Sequence, residues 1–287
     1  MTHKDLTIVI TTFKSEKKIK DCLNSIDPKI DVIVVENSNS LLFKELLEKK
    51  FHNVKCELTN DNLWYGKANN IGLQLVKTKY ALILNPDTVL ESSALNNFFD
   101  FAEKHNDFVM LGPNQDENIL SIENIELKDL KNFETNSIKG YAMFLNIEKF
   151  KDIGFFDENF FLYLEEIDLC KRIKKCNKRI YICPKIIIYH QGGKSVDDKF
   201  TYQIELTRNW HWMWSLFYFN KKHFGYCSAL ILILPKLLSS CFRAAFYFLI
   251  FHKSKKEIYL KRLSGILNSI LGKESWYRPT LDWFSIF

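Results

Sequence analysis

The chain has 287 residues, a net charge of +6 and 47% hydrophobic residues, which is enough to bury a substantial core. Its seven cysteines include no pair with the two-residue spacing of a zinc knuckle or a redox motif, which excludes both kinds of site. The first residues do not resemble a signal peptide, so we expect reduced thiols and a cytoplasmic protein.

The net positive charge comes entirely from the carboxyl-terminal part of the chain. Residues 208–287 contain 12 Lys and Arg against 3 Asp and Glu, whereas residues 1–207 contain 28 against 31. The basic part is rich in aromatic and aliphatic residues, which favours an anionic membrane surface as a partner. No nucleic-acid-binding signature is present. We therefore predict two domains, 1–207 and 208–287, and no nucleic-acid partner.

Short apolar runs alternate with amphipathic stretches in the first domain. The apolar runs predict strands at residues 6–12, 31–36, 54–58, 80–84 and 108–111. The stretches between them predict helices at residues 15–26, 41–51, 66–76 and 92–104. This alternation indicates βαβ units, and hence an α/β fold whose mostly parallel sheet has helices on both faces. The sequence lacks both Gly-x-Gly-x-x-Gly after the first strand and a Walker motif, which excludes the glycine-cradled nucleotide sites.

The central predicted strand ends in an acidic turn. Residues 80–84 run directly into Asn85, Pro86 and Asp87, and Pro86 ends the strand because it has no N–H to donate. Asp87 is thereby placed at the carboxyl end of a central strand, where ligands bind in open α/β sheets. A carboxylate there suits a divalent cation that already carries phosphate oxygens. The alternative is an Asp that initiates a turn or caps the next helix.

Polar residues also end the first two predicted strands. Thr11, Thr12, Glu36 and Asn37 lie at these ends and are the candidates to hold a nucleotide without a glycine cradle. For Glu36 and Asn37, a polar turn that caps the next helix is the alternative. Residues 114–137 predict a long loop across the carboxyl edge of the sheet, and Gly140 begins a further strand where backbone or ligand comes close.

An aromatic segment precedes a group of carboxylates. Residues 160–163 are Phe-Phe-Leu-Tyr, and Glu165, Glu166 and Asp168 follow at the start of a predicted helix. A carboxylate beside such an apolar wall can have its pKa raised to a value useful for a general base. Acidic residues are also common in first helical turns, where they interact favourably with the helix dipole, so that interpretation is the alternative.

A histidine follows the last predicted strand of the first domain. Two strand-like runs, 179–183 and 185–189, precede His190 and the pair Gly192-Gly193. A single histidine at a strand end is more often structural than a ligand. The glycines permit close approach, however, and a neutral imidazole is a good ligand for a divalent metal.

Taken together, these motifs resemble the family-2 inverting glycosyltransferases of the GT-A fold, in particular the rhamnosyl- and galactofuranosyltransferase-like members. The resemblance covers about residues 5–195. It depends on motifs that occur in this order along the chain: Ile10 to Phe13, Val34 to Ser38, Asn62 to Asn70, Leu84 to Asp87, Gly140, Phe160 to Arg172, and Tyr189 with His190.

The resemblance implies roles for residues in these motifs. Contacts to the nucleotide-sugar are implied for Thr12, Glu36, Asn69 and Asn70. Asp87 and His190 would bind Mg²⁺ or Mn²⁺ at the donor diphosphate, and Asn85, which replaces the first carboxylate of the family's Asp-x-Asp, would offer an oxygen to the metal or ribose. In the same way, the likeness implies that Glu166 is the catalytic base, with Glu165 and Asp168 as lesser candidates.

The implied reaction transfers a sugar, for example rhamnose, from a nucleotide-diphosphate donor to a hydroxyl of a growing cell-surface glycan, which can be lipid-linked. A single displacement would invert the anomeric configuration. A sugar-phosphate nucleotidyltransferase would need a glycine-rich loop, and residues 10–18 contain no glycine. A non-catalytic nucleotide-sugar-binding or scaffold subunit is the alternative, because Asn85 and Glu166 both depart from the family pattern.

The basic tail combines aromatic and apolar segments. Residues 208–225 contain three Trp, and residues 228–251 are apolar enough to cross a bilayer but include Pro235, Lys236 and Arg243. We therefore predict a helix pair that lies in the membrane interface, with the following basic residues against anionic headgroups. The protein would then be attached peripherally to the inner face of the cell membrane. A packed helical subdomain or a dimer interface, and hence a homo-oligomer, is the alternative.

Overall fold

The computed structural model describes residues 2–115, 131–190 and 201–278. The chain forms two compact units. The first, called the sheet unit here, comprises Met1–Asp157 and Glu166–Ser195. The second, the helical unit, comprises Glu158–Glu165 and Val196–Phe287.

The sheet unit contains the strands of the described residues. They are β1 Leu6–Thr12, β2 Asp31–Glu36, β3 Val54–Leu58, β4 Tyr80–Leu84, β5 Thr88–Leu90, β6 Phe108–Gly112, β7 Phe133–Glu134, β8 Ala142–Asn146, β9 Arg179–Ile182 and β10 Ile188–His190. Eight of them form one sheet in the order β3-β2-β1-β4-β8-β6-β9-β7, while β5 pairs with β10. β1 is parallel to β2 and β4, whereas β8 is antiparallel to β4 and β6. The main sheet is therefore mixed and mostly parallel.

Helices cover both faces of this sheet, as predicted. They are α1 Ile19–Asn24, α2 Leu41–Lys50, α3 Trp64–Leu75, α4 Ala94–Lys104 and α5 Glu165–Lys175. Ile8 and Ile10 of β1 belong to a core cluster with residues of α1, α2 and α4, whereas Val9 belongs to one with residues of α3 and α5. Successive strand residues point to opposite faces. Gly72 lets α3 lie directly on the sheet, because a Cβ there would be 2.4 Å from Cγ1 of Val9.

The strands β1 to β4 have the predicted bounds. Continuous apolar runs of this kind mark strands buried on both faces, and all five residues of β4 are buried. Helix α1 begins at Ile19 rather than Ser15, since the Ser15 carbonyl accepts the N–H groups of Lys18 and Ile19 in a turn.

Three short strands differ from the predictions. No pattern in the sequence predicts β5 or β7, and β10 is shifted to Ile188–His190 from the predicted 185–189. β7 lies within the predicted loop 114–137, of which residues 116–130 are outside the described residues. Strands of two or three residues carry too little hydrophobic periodicity to be recognised, and their position depends on a distant partner.

The helical unit packs three helices: α6 Thr201–Phe224, α7 Tyr226–Leu249 and α8 Lys253–Ile270. Its core contains Met213, Phe217, Ala229, Ile233 and Ile266. The sequence predicts a helix pair, so α8 is an addition. Helix α6 runs through the predicted boundary at 207/208, and that domain division stays a prediction.

Two features of the helical unit concern how closely its helices pack and how apolar α7 is. Gly265 allows α8 to approach α6 closely, because a Cβ there would lie 2.3 Å from the carbonyl oxygen of Trp210. Helix α7 is long and apolar enough to cross a membrane, by length and composition alone, and 22% of its most apolar stretch is buried.

Candidate active site

A hydrogen-bonded turn holds Asp87 at the carboxyl end of β4. The carbonyl of Asn85 accepts the N–H of Thr88 at 3.2 Å and its hydroxyl at 2.7 Å. The N–H of Asn85 donates to the carbonyl of Tyr141 at 2.9 Å, which ties the turn to the start of β8. Both ends of the turn are thus fixed, so that Asp87 is presented by a rigid element.

The pairing of β5 with β10 brings a histidine to this aspartate. His190 lies opposite Thr88 in the antiparallel register, and its Nε2 is 3.3 Å from Oδ1 of Asp87. The imidazole stacks on the ring of Tyr141, with centroids 4.7 Å apart and an interplanar angle of 9°. Tyr141 in turn donates its hydroxyl to the carbonyl of Asn114 at 2.9 Å. The structure therefore brings together Asp87 and His190, and it orients the imidazole plane.

The electrostatics of this pair favour a charged carboxylate. Burial alone would raise the pKa of Asp87, but the hydrogen bond and charge of His190, together with Lys18, outweigh it and leave the pKa below its usual value. The aspartate is thus ionised at neutral pH. Within the described residues, no group of three or more His, Cys, Asp or Glu side chains is arranged so that it could hold a metal ion by itself. The donor set of one carboxylate and one imidazole fits a divalent cation that takes its other ligands from a diphosphate and water.

Glu166 lies in the first turn of α5. Burial raises the pKa of Glu166, although hydrogen bonds from the backbone at Glu166 and Ile167 act in the opposite direction. A carboxylate whose pKa is raised towards neutrality accepts a proton more readily near pH 7. The environment of Glu166 therefore suits a general base.

The two lesser candidates for the base have different surroundings. Asp168 is fully buried, and its Oδ2 accepts a hydrogen bond from Nε of Arg172 at 2.8 Å. Arg172 also donates to the carbonyls of Ile153 and Gly154, at 2.7 and 3.1 Å. Asp168 thus holds an arginine that fastens the preceding loop, and this engagement leaves it less available for proton transfer. Glu165 is buried and belongs to the helical unit.

Three of the residues predicted to bind the nucleotide-sugar each have a buried polar atom without a hydrogen-bond partner among the described residues. The hydroxyls of Thr11 and Thr12 and Oδ1 of Asn69 have no hydrogen-bond partner among the described residues. The amide nitrogen of Asn69 donates to the carbonyl of Tyr65 at 2.9 Å, which fixes the side chain. An unsatisfied buried polar group costs about 1–3 kcal/mol, so such atoms are the ones that a polar ligand would satisfy.

In other residues predicted to bind the nucleotide-sugar, the polar atoms already form hydrogen bonds within the protein. Glu36 accepts the N–H groups of Ser38 and Ser40, both at 2.9 Å, and the hydroxyl of Ser38 at 2.5 Å. This arrangement is the polar turn that the sequence left open. Oδ1 of Asn37 accepts the hydroxyl of Thr59 at 3.1 Å, and Asn70 binds the backbone of Phe156 through both ends of its amide. Their contacts to a nucleotide stay a prediction.

Two tyrosines that no pattern singled out belong to this region. Tyr65 donates its hydroxyl to the carbonyl of Gly140, and a Cβ at Gly140 would lie 3.3 Å from that hydroxyl. Gly140 thus accommodates a tyrosine at close range. Tyr141 carries the stacking surface for His190. Its position next to Gly140 is the only sequence signal that could have drawn attention to it.

The fold and these residues agree with the comparison to known families. Residues 7–168 match the family described as glycosyl transferase family 2, and the chain belongs to that family. The protein is therefore a glycosyltransferase, as the sequence predicted.

Individual relatives are more distant. A low-salt glycan biosynthesis hexosyltransferase of Haloferax volcanii is 25% identical over 230 residues, which cover 70% of this chain and 72% of the relative. The rhamnosyltransferase WbbL of Escherichia coli K12 is 25% identical over 207 residues, or 61% of this chain and 77% of the relative. Both are similar to this chain over most of their length.

A solved structure confirms the fold. The mannosyltransferase PcManGT from Pyrobaculum calidifontis, in complex with GDP-Man and Mn²⁺, superimposes with a TM-score of 0.57 at 11% identity. The match covers 94% of this chain and 88% of that one. The GT-A fold predicted from the sequence is confirmed by this likeness, which at such low identity shows the fold alone.

Proposed function

We propose that this protein is a metal-dependent, inverting glycosyltransferase that extends a cell-surface glycan from a nucleotide-diphosphate sugar. The observation that supports this most is the pairing of Asp87 with His190 at the carboxyl end of β4. The relatives are a hexosyltransferase and a rhamnosyltransferase, so a hexosyl or rhamnosyl group is the sugar that we propose is transferred.

Asp87 and His190 are the residues that would hold Mg²⁺ or Mn²⁺, with the Asn85 side chain as a further oxygen donor. Such a cation, when bound, offsets the negative charge that builds on the departing nucleoside diphosphate. The ionised Asp87 supplies a hard oxygen ligand. His190 presents an imidazole whose plane is set by Tyr141, and fixing the ring keeps its nitrogen directed at one place.

The donor would be oriented by the polar atoms that the protein leaves unsatisfied. The hydroxyls of Thr11 and Thr12 lie at the end of β1, and the carboxamide oxygen of Asn69 lies in α3. Hydrogen bonds from a nucleotide-sugar to these atoms would recover the cost of burying them. Correct orientation of the donor is itself a large part of the rate gain in such reactions.

Glu166 would act on the acceptor. Its carboxylate takes the proton of the acceptor hydroxyl while that oxygen bonds to the anomeric carbon and the carbon–oxygen bond to the diphosphate breaks. Attack occurs from the face opposite the leaving group, so a single displacement inverts the anomeric configuration. No covalent sugar–enzyme intermediate is needed.

A donor screen tests this proposal. Uridine-, thymidine- and guanosine-diphosphate sugars are tested with Mn²⁺, Mg²⁺ or EDTA for thermal stabilisation of the full chain, because a tight ligand raises the melting temperature. We expect one nucleotide class to stabilise the protein only with a divalent cation, and to release its nucleoside diphosphate on incubation. Stabilisation without any turnover would favour the alternative of a non-catalytic binding subunit. Absence of stabilisation by every donor would contradict the proposal.

We also propose that the helical unit attaches the enzyme to the inner face of the membrane, where a lipid-linked glycan would be the acceptor. Helix α7 buries only a narrow stripe that contains Ala229, Ile233, Ser240 and Ala244. Most of its large apolar side chains are exposed: Leu230, Ile231, Leu232, Leu234, Leu238, Phe242, Phe246, Phe248 and Leu249. An apolar surface of this kind favours an apolar environment over water.

Basic residues lie directly beside this surface. The Nζ of Lys255 lies 5.3 Å from the ring centroid of Tyr247, and the Nζ of Lys256 lies 5.5 Å from that of Phe248. Arg243 donates to the hydroxyl of Tyr259 at 2.6 Å, which directs this charge to α8. Cations at the edge of an apolar face fit anionic headgroups, each contributing about 1 kcal/mol near a charged surface.

Vesicle sedimentation tests the membrane attachment. A variant with Ile231, Phe242 and Phe248 changed to Ser is compared with one in which Leu41, Leu42 and Leu46, equally exposed on α2, are changed to Ser. We expect the wild type and the α2 variant to sediment with phosphatidylglycerol-containing vesicles, and the α7 variant to stay in solution. Equal sedimentation of all three would contradict the attachment. A wild-type dimer that becomes a monomer only in the α7 variant would instead show self-association through this face.

A further inference from the structure

The segment Glu158–Glu165, called the aromatic loop here, has a backbone conformation that its own sequence does not favour. Tyr163 and Leu164 both have positive φ angles, 71° and 68°. Bulky L-residues rarely adopt this left-handed region because Cβ then crowds the backbone. Two such residues in succession persist only if contacts elsewhere hold them in place.

Helix α6 supplies those contacts within the helical unit. The hydroxyl of Ser215, itself fully buried, donates to the carbonyl of Leu162 at 2.7 Å. Phe161 stacks on His211 with centroids 4.6 Å apart, and Tyr163 meets Trp212 edge-on at 5.5 Å. The hydrogen bond from Ser215 is thus made to Leu162, the residue immediately before the left-handed pair Tyr163 and Leu164.

The contacts come from one face of α6. Residues 211, 212, 215 and 218 are spaced so that they lie along a single helical stripe, and Tyr218 completes it by an edge contact with Phe160 at 4.9 Å. His211 is held by Ser275 and by the carbonyl of Tyr277, at 2.9 and 2.8 Å. Both ring nitrogens of His211 are therefore engaged, which holds the imidazole that Phe161 stacks on.

We infer that Ser215, with the α6 stripe around it, positions Glu166 for proton transfer. Helix α5 begins at Glu165, directly after the left-handed pair, so the backbone of the aromatic loop leads straight into the residue before Glu166. Ser215 touches neither donor nor acceptor in this scheme and acts through the loop. The inference rests on the proposed function, in which Glu166 is the base.

The test compares Ser215→Ala and Ser215→Thr with a matched control, Ser240→Ala. Ser240 is also buried in the helical unit, and its hydroxyl donates at 2.7 Å to the carbonyl of Lys236 in its own helix. The full chain is assayed for nucleoside diphosphate release, with the uridine-, thymidine- or guanosine-diphosphate sugar that stabilises it most with Mn²⁺. We measure kcat, the donor KM and the unfolding midpoint for each variant.

We expect Ser215→Ala to lower kcat by about ten- to a hundredfold with an unchanged donor KM, since small misplacements of a catalytic group are costly. Ser215→Thr keeps a hydroxyl and should recover most of the rate. Ser240→Ala should keep the wild-type kcat even if its unfolding midpoint falls as far. A wild-type kcat in Ser215→Ala, or equal losses in both alanine variants, would overturn the inference.

The same assay with Glu166→Gln separates this inference from the proposed function. If Glu166→Gln is inactive while Ser215→Ala is normal, the base assignment holds and only the positioning role is wrong. If Glu166→Gln turns over like the wild type, the assignment of the base is wrong, and the positioning inference falls with it.

Discussion

The sheet unit and the helical unit differ in how far their apolar side chains are buried. In the sheet unit, β4, β6 and β8 have five residues each, and every one of these residues is buried. Helix α4 buries Ala94, Phe98, Phe99, Phe101 and Ala102. In the helical unit, α7 buries only Ala229, Ile233, Ser240 and Ala244 of its 24 residues. The apolar residues of the sheet unit therefore lie mostly in its core, whereas the helical unit combines a small core with an exposed apolar surface on α7. The proposed roles, donor chemistry in the sheet unit and membrane attachment in the helical unit, would require such a difference.

Two buried polar sites, one in each unit, also differ in whether the protein itself satisfies their polar atoms. The sheet unit leaves polar atoms of Thr11, Thr12 and Asn69 without a partner among the described residues. The helical unit holds His211 between Ser275 and the carbonyl of Tyr277. Unsatisfied groups mark where a ligand is expected, whereas satisfied ones fix a scaffold. The following predictions test this contrast, from the largest expected effect to the smallest.

The first prediction concerns the metal pair of the sheet unit. Asp87→Ala removes the ionised ligand and should lower nucleoside diphosphate release by a hundredfold or more, because a lost metal ligand weakens charge stabilisation at the leaving group. Mn²⁺-dependent thermal stabilisation by the donor should disappear as well. The unfolding midpoint without ligand serves as the control for folding. A variant that keeps both Mn²⁺-dependent stabilisation and turnover would exclude Asp87 from the site.

The second prediction concerns the buried histidine of the helical unit. Burial lowers the pKa of His211 to about 3, below its ordinary value of 6.5. In this range the unfolded chain binds a proton that the folded chain does not, so the free energy of unfolding should fall as the pH is lowered from about 6.5 towards 3. Denaturant unfolding followed by Trp fluorescence measures this dependence, since Trp210, Trp212, Trp214 and Trp276 all lie in the helical unit.

His211→Gln removes the titrating group and should flatten the pH dependence over this interval, even if the variant is less stable throughout. His52→Gln, at an exposed residue just after α2, is the control, because that side chain is already in contact with solvent in the folded chain. An identical slope in His211→Gln and the wild type would show that other groups cause the loss of stability.

The third prediction compares one glycine from each unit. A Cβ at Gly265 would lie 2.3 Å from a backbone carbonyl of Trp210, whereas a Cβ at Gly72 would lie 2.4 Å from a side-chain methyl of Val9. Backbone cannot move aside as a side chain can, so Gly265→Ala should cost the more, about 1–3 kcal/mol as expected for overpacking. Denaturant midpoints at constant m-value measure both losses. A larger loss for Gly72→Ala would contradict the close packing of α6 and α8.

The sheet was predictable because its strands are continuous apolar runs, and β1 to β4 fall at the predicted bounds. The meeting of Asp87 and His190 could be anticipated only from the resemblance, since it depends on the pairing of β5 with β10. A three-residue strand such as Thr88–Leu90 gives no periodic signal, and its partner lies far away in the sequence.

Other parts of the site could not be read from residue types. Glu36 and a nucleotide-binding carboxylate look the same in sequence, and only the hydrogen bonds from Ser38 and Ser40 show that the turn occupies its oxygens. The left-handed Tyr163 and Leu164 are equally hidden, because a positive φ is normally signalled by glycine or asparagine. Both cases depend on contacts that local propensity does not encode.

The central claim is that the sheet unit binds the donor with Asp87 and His190 while Glu166 supplies the base. The most direct measurement is nucleoside diphosphate release by Glu166→Gln, with Mn²⁺-dependent donor binding measured on the same preparation. We predict that release falls by about 10²- to 10⁴-fold, the usual contribution of a general base, while donor binding stays at the wild-type level. Release at the wild-type rate would contradict the account.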